Sequence, residues 1–160
     1  MMEVYLDNNA TTIVDPKVFE EMKPFFCDIY GNPNSLHKFG AGTHPKMVEA
    51  LNFLYEGINA DDADDVVIMS NATESINTVI KGIWIDKILN GDKKHIITSE
   101  VEHPAVTAAC KFLETQGVSV TYLPVNEQGT LEASAVRDAI REDTALVSIM
   151  AISLIGCGSK

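Results

Sequence analysis

Basic residues are scarce in this chain: 12 Lys and Arg stand against 23 Asp and Glu, a formal charge of -11 over 160 residues. That balance argues against a nucleic-acid groove or an anionic membrane surface as the main partner. The acids fall in short clusters such as Asp61-Asp62 and Asp64-Asp65, so they form no acidic tail. Cysteine is as sparse. Cys27, Cys110 and Cys157 are odd in number and far apart, which reads as neither a disulfide framework nor a zinc site. No apolar run approaches the roughly 20 residues that a membrane-spanning helix needs. The opening Met-Met-Glu-Val-Tyr-Leu-Asp lacks the basic region and apolar run of a signal peptide, so a reducing cytoplasm is the expected setting. Neither G-x-G-x-x-G nor G-x-x-x-x-G-K-[ST] occurs, which weakens a generic nucleotide-binding reading.

What is present is a regular alternation of two periods. Met47, Leu51, Leu54 and Ile58 recur at helical spacing, and the β-branched run Val66-Val67-Ile68-Met69 predicts a buried strand. Ile76, Ile80, Ile83 and Trp84 predict a helix that stops near Asn90-Gly91, and His95-Ile96-Ile97-Thr98 a second strand. Pro104 suits the first turn of a helix carrying Val106, Cys110 and Leu113 and closing at Gly117. Residues 118–123, a short helix at Val136 and Ile140, and residues 145–150 complete the pattern. Strand and helix in strict alternation predict an α/β fold, an open and mostly parallel sheet with flanking helices. Residues 1–42 are different: rich in Asn, Pro, Gly and Thr, with one helical stretch around Val18 to Phe26. They read either as functional loops or as a plain N-terminal arm.

Ligands in open α/β sheets sit beyond the carboxyl ends of the strands. At the first such end, Ser70-Asn71-Ala72-Thr73-Glu74 offers backbone N–H groups and a hydroxyl to an anion. The same residues also read as a capping box, with Asn71 as cap and Glu74 three residues on, and the two readings are compatible. At the second, His103 precedes a helix-starting proline, where its ring either stacks on a flat ligand and shuttles protons or simply faces solvent. His37, His44 and His95 carry no such positional argument. At the third, Met150 to Cys157 offers almost no polar chemistry, and Cys157 and Lys160 read as inert.

Four segments together resemble one family. Tyr5-Leu6-Asp7-Asn8-Asn9-Ala10-Thr11-Thr12, Gly31-Asn32-Pro33-Asn34-Ser35-Leu36-His37, Ala72-Thr73-Glu74-Ser75 and Glu102-His103-Pro104-Ala105-Val106 are similar to successive motifs of the cysteine desulfurases, within the class V aminotransferase superfamily. The resemblance covers residues 3–150 and implies part of the large domain of a fold-type I enzyme that depends on pyridoxal 5'-phosphate. Residues 1–42 would then be an arm lining the site, residues 43–150 a partial cofactor-binding domain, and residues 151–160 a non-matching tail. By the same resemblance, Ala72 and Thr73 hold the cofactor phosphate, and His103 stacks on the pyridine ring and assists proton transfer. Asn8, Asn9, Ala10 and Thr11 line the substrate entrance. The implied reaction takes sulfur from L-cysteine, leaves alanine and passes a persulfide to an acceptor or scaffold protein, as in iron–sulfur cluster assembly, in a homodimer.

The resemblance does not supply every part. The lysine that bonds the cofactor, the aspartate that pairs with its ring nitrogen and the cysteine that carries the persulfide have no match in these residues. The sequence therefore predicts a truncated chain that does not turn over cysteine alone. Two alternatives stand beside it: a non-catalytic module that pairs with a full-length homologue, and part of another class V enzyme such as a selenocysteine lyase.

Overall fold

The structure is a computed structural model that describes residues 3–151 apart from Asn9 and Asp62. It divides into two compact units, the first ending at Ile68 and the second beginning at Met69.

The first unit is helical. Helix α1 (Pro16–Met22) opens with Pro16 at its first turn and is capped by Asp15, whose side chain accepts the Lys17 N–H at 2.7 Å. A single turn, α2 (Pro24–Cys27), follows. The stretch expected as one helix is thus two, because Pro24 has no N–H to continue the ladder and starts a new turn instead. Helix α3 runs Lys38–Gly57 and contains Pro45. It begins upstream of the periodic residues because His37 caps it, accepting the Gly40 N–H at 3.5 Å. Glycines at 40 and 42 hide that first turn from a propensity reading.

Gly40 is needed for a close approach. A Cβ there would lie 2.3 Å from the Ser35 carbonyl oxygen and 2.5 Å from that of Asn32, so the Gly31–His37 loop can press on α3 only at a glycine. Gly40→Ala is expected to cost about 1–3 kcal/mol through overpacking, read as a lower urea midpoint. A Cβ at Gly42 would meet nothing within 4 Å. Gly42→Ala, two residues along the same helix, should therefore be neutral or stabilising by up to about 1 kcal/mol.

Val66 to Met69 forms no strand, contrary to the sequence expectation. Val67 and Ile68 stand 68% and 67% exposed, so the run is not buried either. A β-branched run becomes a strand only when a neighbouring strand accepts its hydrogen bonds, and the described sheet offers it none.

The second unit holds the α/β layer. Helix α4 (Ala72–Ile83) continues into a π-helical turn, Trp84–Ile88. Strand β1 (His95–Ser99), α5 (Pro104–Thr115), β2 (Ser119–Leu123), α6 (Ala133–Ala139) and β3 (Thr144–Ser148) follow in alternation. All strands are parallel, in the order β2-β1-β3. This is the open parallel sheet with flanking helices that the sequence predicts, with three of the four expected strands.

Central β1 is buried along its whole length, as a parallel strand covered on both faces must be. Helix α5 buries Val106, Ala109, Cys110 and Leu113, an i, i+3, i+4, i+7 stripe. These side chains join Ile80, Ile88, Ile96 and Val118 in one core cluster. Gly117, with φ of +85°, ends α5 in the left-handed region that glycine enters without strain. No described helix is long and apolar enough to cross a membrane.

Candidate functional site

The N-terminus of α4 is capped by its own side chains. Asn71 Oδ1 accepts the Glu74 N–H at 2.9 Å, and Glu74 Oε2 accepts the Ser70 N–H at 2.7 Å. The backbone N–H and hydroxyl of Ser70 hold the Glu74 carboxyl below its usual range. The Ser75 N–H is taken by the Asn71 carbonyl. At the first two helical residues, the N–H groups of Ala72 and Thr73 find no acceptor among the described residues. The Thr73 hydroxyl is likewise uncommitted, and all three groups are exposed. The cap is therefore formed, and it leaves donors at the head of α4 open.

His103 is the N-cap of α5. Its Nδ1 accepts the Ala105 N–H at 3.1 Å, which puts the proton of the neutral ring on Nε2. The ring is exposed, with Nε2 directed to no protein partner among the described residues. It is thus held at one nitrogen and available at the other, the condition for a proton shuttle or a ring partner. Because α4 and α5 pack on each other, the open turn and the histidine both belong to the second unit.

The turn before His103 is tied on both sides. The Glu100 N–H donates to the Leu123 carbonyl at the end of β2. Glu102 Oε1 accepts both the Ser99 hydroxyl and the Met150 N–H, each at 2.8 Å. A cleft of about 260 Å3 lies beyond the carboxyl ends of the strands, lined among others by Ser99, Val125, Thr130 and Met150. In the sequence Glu102 is visible only as the residue before the histidine; its link to Met150, 48 positions away, needs the strand pairing to appear.

Asn8, Ala10 and Thr11 lie in the first unit, exposed, and Asn9 lies outside the described residues. Tyr5, Asn8, Thr11, Thr12 and Ile13 line an open cleft of about 590 Å3 there. The local geometry is a turn: Ala10 and Thr11 donate their N–H groups to the Asp7 carbonyl, and the Thr12 hydroxyl bonds the Asn8 carbonyl at 2.9 Å.

Cys110 is buried, and burial with the nearby Glu114 pushes its thiol up to about 11, so it is no nucleophile. Cys27 is exposed on α2. Cys157 and Lys160 lie outside the described residues. His95 is wholly buried, its Nδ1 bonded to the Thr144 hydroxyl and its Nε2 to the Thr121 hydroxyl, and so holds the sheet rather than a ligand.

The layer is a parallel α/β sheet with flanking helices, and the chain belongs to the class-V aminotransferase family, matching it over residues 4–156. The match runs past Met150, where the four-motif resemblance ends. Within that family it is similar to the cysteine desulfurase IscS of Dictyoglomus turgidum, 45% identical over 92% of this chain and 37% of that protein. Among solved structures, a NifS-like protein superposes with a TM-score of 0.85 at 39% identity, covering 95% of this chain and 41% of that one. A structure described as SspA in complex with cysteine gives a TM-score of 0.85 at 34% identity, over 93% of this chain and 42% of that one. The chain thus spans well under half the length of these relatives.

Proposed function

We propose that these residues form the phosphate-holding and ring-facing part of a pyridoxal 5'-phosphate site in a cysteine desulfurase, acting on L-cysteine in the cytoplasm. The observation that carries this reading is the pair of open N–H groups at Ala72 and Thr73, beside an uncommitted Thr73 hydroxyl, at the head of a twelve-residue helix. They fit a phosphate group: three donors at the positive end of a helix dipole. His103 fits the ring, with its Nε2 free to hold or pass a proton and its Nδ1 fixed by Ala105. The cofactor, when bound, supplies the electron sink for chemistry at the amino acid's α- and β-carbons. Asn8, Asn9, Ala10 and Thr11 are proposed to line the path by which cysteine enters, and a sulfur-acceptor or scaffold protein is proposed to take the persulfide.

A helix terminus contributes on the order of 1–2 kcal/mol to anion binding. Without a covalent anchor the chain alone should hold the cofactor weakly and not catalyse. Absorbance spectra of the 160-residue chain with added pyridoxal phosphate, followed by borohydride reduction and peptide mapping, test this. The expected result is weak binding that requires the phosphate, so that pyridoxal itself has no effect, and no adduct on a single lysine. A stoichiometric adduct on one defined lysine would overturn the view that the anchor is not among these residues.

A second reading, association with another family chain, is supported by the outer edges of β2 and β3 and by apolar side chains such as Leu6, Ile13 and Leu36, exposed by 85%, 87% and 104%. Sedimentation of a monodisperse monomer would count against it.

A further inference from the structure

We propose that Glu102 is the positioning residue that fixes His103 and the end of β3 as one rigid unit at the mouth of the sheet. The ladder between β1 and β3 ends at the pair Thr98 and Ser148. Two residues further along, the Met150 N–H would face a gap, because β1 has ended at Ser99 and the chain has turned toward α5. The Glu102 carboxylate fills that gap. Its Oε1 accepts the Met150 N–H at 2.8 Å. The same oxygen accepts the hydroxyl of Ser99, which is 1% exposed, so the carboxylate also satisfies a buried donor. Hydrogen bonds to an ionised acceptor are roughly twice as strong as neutral ones, and two converge here on one atom.

The consequence falls on the next residue. His103 follows Glu102 directly, and Pro104 restricts it from the other side to the extended backbone it adopts, with φ of -59° and ψ of 142°. Glu100 ties the same turn to β2. The histidine therefore leaves a strap tied to the end of β2 by Glu100 and to Met150, two residues past β3, by Glu102. Met150, two residues past the end of β3, is held relative to the histidine by the same bond. A mobile strap would let the ring swing away from α5 and lose the Ala105 N–H that selects its tautomer.

This role rests on the reading that His103 serves the cofactor, but its test does not depend on it. Long-range 1H–15N spectra of the full 160-residue chain report the His103 ring, and amide exchange reports Met150. In Glu102→Ala the His103 Nδ1 resonance is expected to move toward that of a free histidine, and the Met150 amide to exchange roughly 10- to 100-fold faster. Glu102→Gln keeps an acceptor oxygen and should restore most of both. Unchanged ring signals and unchanged Met150 exchange in Glu102→Ala overturn the proposal. Should that variant not fold, Glu102→Asp keeps the charge but shortens the reach by one methylene; the same two changes support the proposal, and their failure to occur overturns it. Titrating pyridoxal phosphate into the same samples separates the two claims. A His103 ring that responds to Glu102→Ala and ignores the cofactor sinks the cofactor reading and leaves Glu102 in its role.

Discussion

His95→Ala is expected to destabilise the second unit by roughly 3–5 kcal/mol, a loss comparable to the whole stability of a small domain. The ring is completely buried and spans all three strands, from Thr121 on β2 at 2.8 Å to Thr144 on β3 at 2.9 Å. Removing it opens a cavity at the centre of the sheet and strands the Thr121 hydroxyl; the Thr144 hydroxyl keeps the Arg141 N–H. The same residue predicts a pH dependence. Burial lowers the His95 pKa from its usual value, the Arg141 charge lowers it further and Asp143 opposes both. A base whose folded pKa is depressed is fully stabilising above its unfolded value, near 6.5, and loses that contribution as pH falls through 6.5 toward the folded pKa. Protonation would also make both ring nitrogens donors, so both threonine hydroxyls would have to accept and turn their own protons elsewhere. Urea midpoints at pH 7.5 and 5.5 check the sign. The midpoint should be lower at pH 5.5 in the wild type, and the difference should shrink in a folded variant such as His95→Gln. A midpoint that rises on acidification would contradict it.

Leu113→Ala is the second large effect, expected to cost about 2–5 kcal/mol. Leu113 is 0% exposed and lies within the cluster that joins α4, α5, β1 and the start of β2. Its carbonyl also closes the end of α5, accepting the N–H groups of Gln116 and Val118. A thermal scan should show the midpoint falling by roughly 8 °C or more. The adjacent Phe112 provides the contrast. It is 45% exposed and touches Trp84 edge-on at 6.0 Å with Lys81 over its ring, so Phe112→Ala should cost markedly less. Equal losses at the two positions would mean that the burial stripe of α5 has been assigned to the wrong face.

That stripe is legible in the sequence because Val106, Cys110 and Leu113 repeat with the helical period, and β1, β2 and β3 because their short apolar runs sit between turn signals. Val66 to Met69 carries the same signal and forms no strand. Pattern records a segment's taste for burial, whereas a strand also needs a partner edge, and no local feature encodes that. His95 gives no sequence signal for a related reason. Its two threonines are 26 and 49 positions away, so the site exists only once three strands are in register. The start of α4 is legible in full because a capping box is local: Asn71 and Glu74 take their donors within one turn and leave Ala72 and Thr73 open. Glu102 lies between these cases, its Ser99 contact local and its Met150 contact not.

The central claim is that the head of α4 and His103 serve one ligand. Backbone and imidazole 1H–15N spectra of the chain during a pyridoxal phosphate titration test it most directly. The account predicts that the Ala72 and Thr73 amides and the His103 Nε2 signal move together, with one apparent affinity, and that Thr73→Ala weakens all three responses. Shifts confined to other residues, or Ala72 and Thr73 responding with an affinity unrelated to that of His103, would contradict it.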